Sequence, residues 1–277
     1  MALTILTNLA SLNTKRHLEE SSEKYAQAAE RIATGKRINK SGDDAAGLSI
    51  STTIEGQVRS IQQARRNAQD ALSLMQVAEG GMNDVNNLII RLRELAIQAA
   101  SDSVGDNERK SIQFEVDQVK QEIDRLSEVT RFLDTTLLNG KGKDFVFQIG
   151  PDNNEMNRFE YDASKLDLSI SSLGLSGVDL SDIESAQDAL SSIDESIKQL
   201  IEPRAELGAL QSRLTSVSSS LSVYEENMTA ARARIIDADI AKETADAVKT
   251  QVLQKAGISI LSQTNLNPAM ALKLLGD

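Results

Sequence analysis

From Ile54 onward every seventh residue is apolar: Ile61, Ala68, Met75, Met82, Ile89 and Ala96. A second series three positions on reads Ala64, Ala71, Ala78, Val85, Leu92 and Ala99. Two such series are the a and d positions of a coiled-coil seam, which presses a helix against a partner along its whole length. A helix over about 45–100 is roughly 80 Å long at about 1.5 Å per residue. A compact domain of this length has a diameter of only roughly 48 Å. The pattern therefore predicts a mainly α, elongated antiparallel bundle of long helices and excludes a round single core. The 277-residue composition agrees, with 3% aromatic residues, no Trp and 3 Pro, because rings normally dominate burial in a compact core.

The flanking segments extend the pattern. Residues 3–33 are helical in spacing, with Leu18, Tyr25 and Ile32 at intervals of seven, and Thr34-Gly35 supplies a helix stop. After a loop, Ser41-Gly42-Asp43-Asp44 reads as a capping box, with Asp44 expected in the first turn of the long helix. A polar break at Ser101–Asn107 precedes a third helix carrying Ile112, Val116, Val119, Ile123 and Leu126, and the short connection implies an antiparallel return. The seam reappears as Ala186, Ile193, Leu200, Leu207, Leu214, Leu221 and Met228 on a fourth long helix. Pro203 falls inside it and is expected to kink or interrupt it. A last helix is expected from near Asp237 to about Thr264, ahead of Asn267-Pro268 and a short apolar tail.

Between the third and fourth helices the period drops from seven to two. Phe145, Phe147 and Ile149 lead into Gly150-Pro151-Asp152-Asn153-Asn154, and Phe159 and Tyr161 alternate on the return, which predicts a β-hairpin over 144–162. Residues 144–188 carry ten acidic and two basic side chains, a large share of the net charge of −11. This stretch reads as a solvated surface.

Most chemistry is excluded by what the chain lacks. The negative charge opposes binding to nucleic acid or an anionic membrane, and no apolar run approaches a membrane span. With no Cys and the single His17 there is no thiolate or multi-His metal site. Gly35-Lys36-Arg37-Ile38-Asn39-Lys40-Ser41 lacks the second Gly of a phosphate loop, and Asp237-Ala238-Asp239 suits a helix cap better than a calcium loop. No nucleophile-elbow or zincin motif is present, so an enzyme is disfavoured and no cofactor is expected. Asn227-Met228-Thr229 spells a glycosylation site, but Met228 belongs to the seam. The N-terminus has no basic region before its apolar residues, so no cleavable signal peptide is expected.

Several stretches together are similar to one family. Arg37-Ile38-Asn39 with Asp43-Asp44-Ala45-Ala46-Gly47-Leu48 resembles the N-terminal signature of bacterial flagellin. Arg91-Leu92-Arg93-Glu94-Leu95-Ala96-Ile97-Gln98 resembles its central helix, and Glu122-Ile123-Asp124-Arg125 and Phe147-Gln148-Ile149-Gly150 continue the likeness. Ala230-Ala231-Arg232-Ala233-Arg234-Ile235 and Gln251-Val252-Leu253-Gln254-Lys255-Ala256-Gly257 carry it to the C-terminus.

The resemblance implies a subunit that polymerises into the extracellular filament, exported unfolded by the flagellar type III apparatus. It implies an inner domain (D0) made of residues 1–40 and 236–277, and an outer domain (D1) of residues 41–235. The short middle segment implies a minimal form without further outer domains. Filament assembly would fall to Ile5, Leu9, Leu12, Leu18, Ile32, Val252, Leu253, Ile260, Leu261 and Leu272 on the terminal helices, and export or assembly to the loop residues Arg37, Ile38, Asn39, Asp43 and Asp44. The implied partners are other copies of the chain, an export chaperone at the C-terminal helix, and the filament cap and hook-filament junction proteins. A vertebrate Toll-like flagellin receptor would meet Arg91, Leu95, Glu115 and Gln118. The family's usual Phe-Asn-Gly stands here as Leu138-Asn139-Gly140, which leaves the packing of that loop open. A hook-filament junction protein is the nearest rival reading, and a signalling or secretion coiled coil is a more remote one.

Overall fold

The computed structural model describes residues 8–274, with side chains to Leu266. Five long helices dominate: α1 (Leu9–Thr34), α2 (Ala45–Ala99), α3 (Asp106–Val129), α4 (Ile183–Ile236) and α5 (Ile240–Leu274). Two antiparallel ribbons lie between α3 and α4. They are β1 (Arg131–Phe132) with β2 (Thr135–Thr136), and β3 (Asp144–Gln148) with β4 (Arg158–Asp162). The chain divides into two compact units, one made of residues up to Gly56 with those from Asn227 on, the other of Gln57–Glu226.

In the second unit the predicted seam is the core. Every a and d residue of α2 from Ile61 to Ala99 is at most 2% exposed. On the facing α4, Ala186, Ile193, Leu200, Leu207 and Leu214 are also buried. Arg93–Asp194, Asn83–Arg204 and Glu79–Gln211 bridge the two helices, residue numbers rising on one as they fall on the other, so the pair is antiparallel. The third helix returns as expected, burying Ile112, Val116, Val119 and Ile123. Arg109 of α3, itself 4% exposed, donates to the carbonyls of Ala99 and Ser101 and so closes the C-terminus of α2.

The hairpin forms as the period-two pattern predicts, with Phe147 opposite Phe159 and Asp144 opposite Asp162. Its rings make a row, Phe132 edge-on to Phe145 at 6.3 Å and Phe147 to Phe159 at 6.4 Å. Leu137 and Leu138 are fully buried, and Gly140, with φ 66°, donates to the carbonyl of Leu166. This is how the loop with Leu138 packs in place of the family's usual Phe.

Three expectations are corrected. Pro203 does not interrupt α4, which runs unbroken from Ile183 to Ile236. Burial of Leu200 and Leu207 on either side holds the helix across the missing donor. Helix α5 likewise continues past Pro268 to Leu274 rather than ending near Thr264. Asp44 lies outside the first turn of α2, where its Oδ1 accepts from the backbone N–H of Gly47 at 2.8 Å as a cap.

The segment from Ala163 to Leu180 reads as solvated by charge but is anchored by its apolar residues. Leu166, Leu168, Ile170, Leu175, Val178 and Leu180 are buried, while its two carboxylates are half-buried (Asp167) and exposed (Asp179). Three polar side chains of α3 hold this strap. Asp124 accepts from the N–H of Ile170, Gln113 accepts from the N–H of Leu180, and Lys120 Nζ donates to the carbonyl of Val178 at 2.5 Å. Partial burial lowers the pKa of Lys120 below the usual lysine range.

Candidate assembly interface

In the first unit α1 and α5 pair antiparallel. Asn8 donates to the carbonyl of Thr264, Gln254 to that of Ser21, and Arg31 meets Glu243 at 3.3 Å. The inward positions on α5 are Glu243, Ala247, Thr250, Gln254, Gly257, Leu261 and Thr264, spaced alternately by four and three. That is a heptad seam written mostly in small and polar residues. Gly257 faces Leu18 across this seam, where an added methyl group would lie 3.4 Å from Leu18 Cδ1, in ordinary van der Waals contact.

Most of the large apolar residues face outward instead. Leu9 and Leu12 are 65% and 56% exposed, Val252 and Leu253 59% and 50%, and Ile258, Ile260 and Leu266 are similarly open. Alongside Leu18, Leu253, Gly257 and Ile260 a cavity of about 380 Å³ opens between the helices. Exposed apolar faces of this extent mark interaction surfaces. Of the assembly residues predicted from sequence, Leu9, Leu12, Val252, Leu253 and Ile260 lie outward, whereas Leu18, Ile32 and Leu261 are half-buried. Ile5 lies outside the described residues, as does the side chain of Leu272.

The loop after α1 is tied to the α4–α5 junction. Gly35 ends α1 with φ 68°. Lys36 then bridges Asp237 antiparallel, the N–H of Arg37 donates to Ile236, and the N–H of Ala238 donates to Gly35. The Arg37 guanidinium donates to the carbonyl of Ile235, and Ile38 is buried beside it. Asp43 Oδ2 accepts from the N–H groups of Asn39 and Lys40, and these two bonds hold its carboxyl below the usual range. Asp239 caps α5 by accepting from Ala241 and Lys242, as the capping interpretation expects. The sequence signature thus marks a backbone clasp, a role that its charge pattern alone does not disclose.

On α2 and α3, Arg91 donates to Glu115 at 2.6 Å and to Glu94 at 2.9 Å, all three groups partly exposed. Gln118 is exposed on the same helix as Glu115. Leu95 is a correction: at 1% exposure it belongs to the core behind Ala96 and offers no surface to a receptor. The open apolar groups nearby are Ile90, Ile97 and Phe114, at 42%, 50% and 69% exposure. Sequence reasoning passed over Ile97 and Phe114, although both lie off the seam and so must project elsewhere.

A model of the bacterial flagellin N-terminal helical region matches residues 5–143, and one of the C-terminal helical region matches residues 190–275. The chain belongs to the bacterial flagellin family. A flagellin of Halalkalibacterium halodurans is 37% identical over 97% of this chain and 98% of its own length. One of Bacillus subtilis is 35% identical over 97% and 98%. The crystal structure of Bacillus cereus flagellin aligns with a TM-score of 0.51 and 27% identity over 60% of this chain and 94% of its own. A flagellar hook-associated protein structure from Vibrio parahaemolyticus aligns with a TM-score of 0.58 over 70% of this chain and all of its own, at 13% identity, a likeness of fold alone. Near full-length identity lies with flagellins, and the chain is a structural subunit of the flagellar filament. The hook-filament junction reading has no better support.

Proposed function

We propose that the outward faces of α1 and α5 are the contacts through which this flagellin polymerises, with the paired terminal helices as the inner domain and residues 41–235 as the outer one. The observation that carries this reading is the division of labour on α5. Its small and polar seam already satisfies α1, so Val252, Leu253 and Ile260 are left over for neighbouring copies. Export through the type III apparatus, a chaperone at α5, and docking against cap and junction proteins complete the reading, and the role is structural rather than catalytic. Leu12→Asp or Val252→Asp should abolish filaments in seeded polymerisation followed by electron microscopy, while circular dichroism and melting of the remaining helices stay unchanged. Normal filaments from both variants would overturn the assignment.

The receptor reading rests on Arg91, Glu115 and Gln118, with Leu95 removed. An exposed pair of this kind contributes about 0–1 kcal/mol to folding, so Arg91→Ala should leave stability nearly intact. If the surface recognises a Toll-like flagellin receptor, that variant should signal more weakly than the parent monomer in a reporter assay. Equal signalling would discard the reading.

A further inference from the structure

Asn139-Gly140 is the one place in the sequence where glycine follows asparagine. Such a pair is chemically labile, because a glycine nitrogen, with no side chain beside it, reaches the preceding carboxamide carbon with little hindrance. The nitrogen of Gly140 attacks Asn139 Cγ and gives up its proton, a C–N bond forms, and Nδ2 leaves as ammonia. Water then opens the cyclic imide at either carbonyl, giving aspartate or an isoaspartyl link that carries the main chain through Cβ. Ammonia and water balance the exchange, and no electron donor or acceptor takes part.

The fold needs both residues. Gly140 has φ 66°, and a methyl group added there would lie 2.9 Å from Asp167 Cβ, so a side chain is excluded on both counts. Asn139 Oδ1 accepts from Thr136 Oγ1 at 2.7 Å and from the N–H of Lys141 at 3.1 Å, closing the turn that leaves β2. The same bonds occupy both reacting groups. The carboxamide is fixed on Thr136 and Lys141, and the N–H of Gly140 is committed to the Leu166 carbonyl at 3.0 Å. Asn139 also bridges Asp167, and the N–H of Leu168 donates to the Leu138 carbonyl at 2.8 Å. Since Leu137 and Leu138 are fully buried, freeing this stretch means lifting two leucines out of the core.

We propose that Asn139-Gly140 is a deamidation site gated by folding, open to imide closure in the unfolded chain and shut in the folded subunit. Damage acquired before folding is then carried into the fold. An isoaspartyl link adds a backbone methylene between the Leu138–Leu168 and Gly140–Leu166 bonds, and either product sets a new carboxylate beside Asp167. Leu138, which packs over Gly81 of α2, loses its seat when that stretch is lengthened. A chain exported unfolded passes through the open state, but the chemistry depends neither on that route nor on which surfaces assemble.

In the test, full-length monomer is kept native or in urea at mildly alkaline pH, and conversion at Asn139 is followed by peptide mass spectrometry with fragmentation that separates isoaspartate from aspartate. The unfolded chain should convert as fast as a free peptide of the same local sequence, and the native chain at least about ten-fold more slowly, as the rarity of local opening sets the rate. Thr136→Val keeps a β-branched residue in β2 but removes one donor to Oδ1. It should speed native conversion several-fold and leave the unfolded rate unchanged. Parent chain aged in urea and refolded should melt below fresh chain. Asn139→Gln, whose longer side chain closes an imide far more slowly, should melt alike before and after ageing. Equal rates in native and unfolded chain, a native rate untouched by Thr136→Val, or aged parent that melts like fresh parent would overturn the proposal.

Discussion

Gly80 and Gly81 stand side by side in the middle of α2 with opposite surroundings. Around Gly80 an added methyl group meets nothing within 4 Å, whereas at Gly81 it would lie 2.6 Å from Leu138 Cδ1 and 2.8 Å from Thr130 Cγ2. Gly80→Ala should therefore stabilise the monomer by about 0.5–1 kcal/mol through helix propensity. Gly81→Ala should destabilise it by about 1–3 kcal/mol, since Leu138 is fully buried and cannot withdraw freely. Urea unfolding of the two variants separates these outcomes, and equal effects would contradict the packing described. Asp43 makes a claim about pH. Its carboxylate is lowered by the N–H groups of Asn39 and Lys40, so the folded value lies below the unfolded one. The stabilisation is then present above the ordinary carboxylate range and is lost as pH falls through the depressed value. The protection factors of the Asn39 and Lys40 amides should fall over that acid window, and Asp43→Asn should show low protection already at neutral pH.

Among elements, α4 carries the plainest mismatch between local rule and outcome. A proline inside a helix forgoes one hydrogen bond and crowds the preceding turn, at about 3 kcal/mol. Pro203→Ala should accordingly raise stability by about 1–3 kcal/mol in urea unfolding, and a loss would mean that the proline is needed for packing against the hairpin. The elements themselves were largely legible in advance, because a seam from Ile61 to Ala99 and an alternation from Phe145 to Tyr161 leave few other folds open. Their ends were less so. Continuity through Pro203 is decided by tertiary burial, which a local propensity does not contain. The strap from Ala163 to Leu180 is masked in sequence by the acidic stretch it belongs to, since its anchors are backbone N–H groups accepted by Gln113 and Asp124 and a carbonyl to which Lys120 donates, all far away in sequence. The outward stripe of α5 was visible as apolar residues, but not its separation from a polar inward seam. Leu95 was misplaced because a motif match carries no information about which side of the helix a residue occupies.

For the whole molecule, a net charge of −11 makes copies repel one another at long range. Repulsion of this sort is screened over roughly 8 Å at physiological salt, so elongation should be faster at moderate than at low ionic strength. If the acidic hairpin region faces outward in the polymer, Asp152 and Glu155, both exposed in the subunit, should react with a water-soluble carbodiimide equally in monomers and filaments. Protection on polymerisation would place them at a subunit contact instead. The outward stripe of Leu12, Val252, Leu253 and Ile260 has a thermal consequence. Contacts made by removing such groups from water are entropic near room temperature and carry a negative heat capacity. The critical concentration for elongation should then rise on cooling, and filaments at the edge of stability should shed subunits in the cold and regrow on warming.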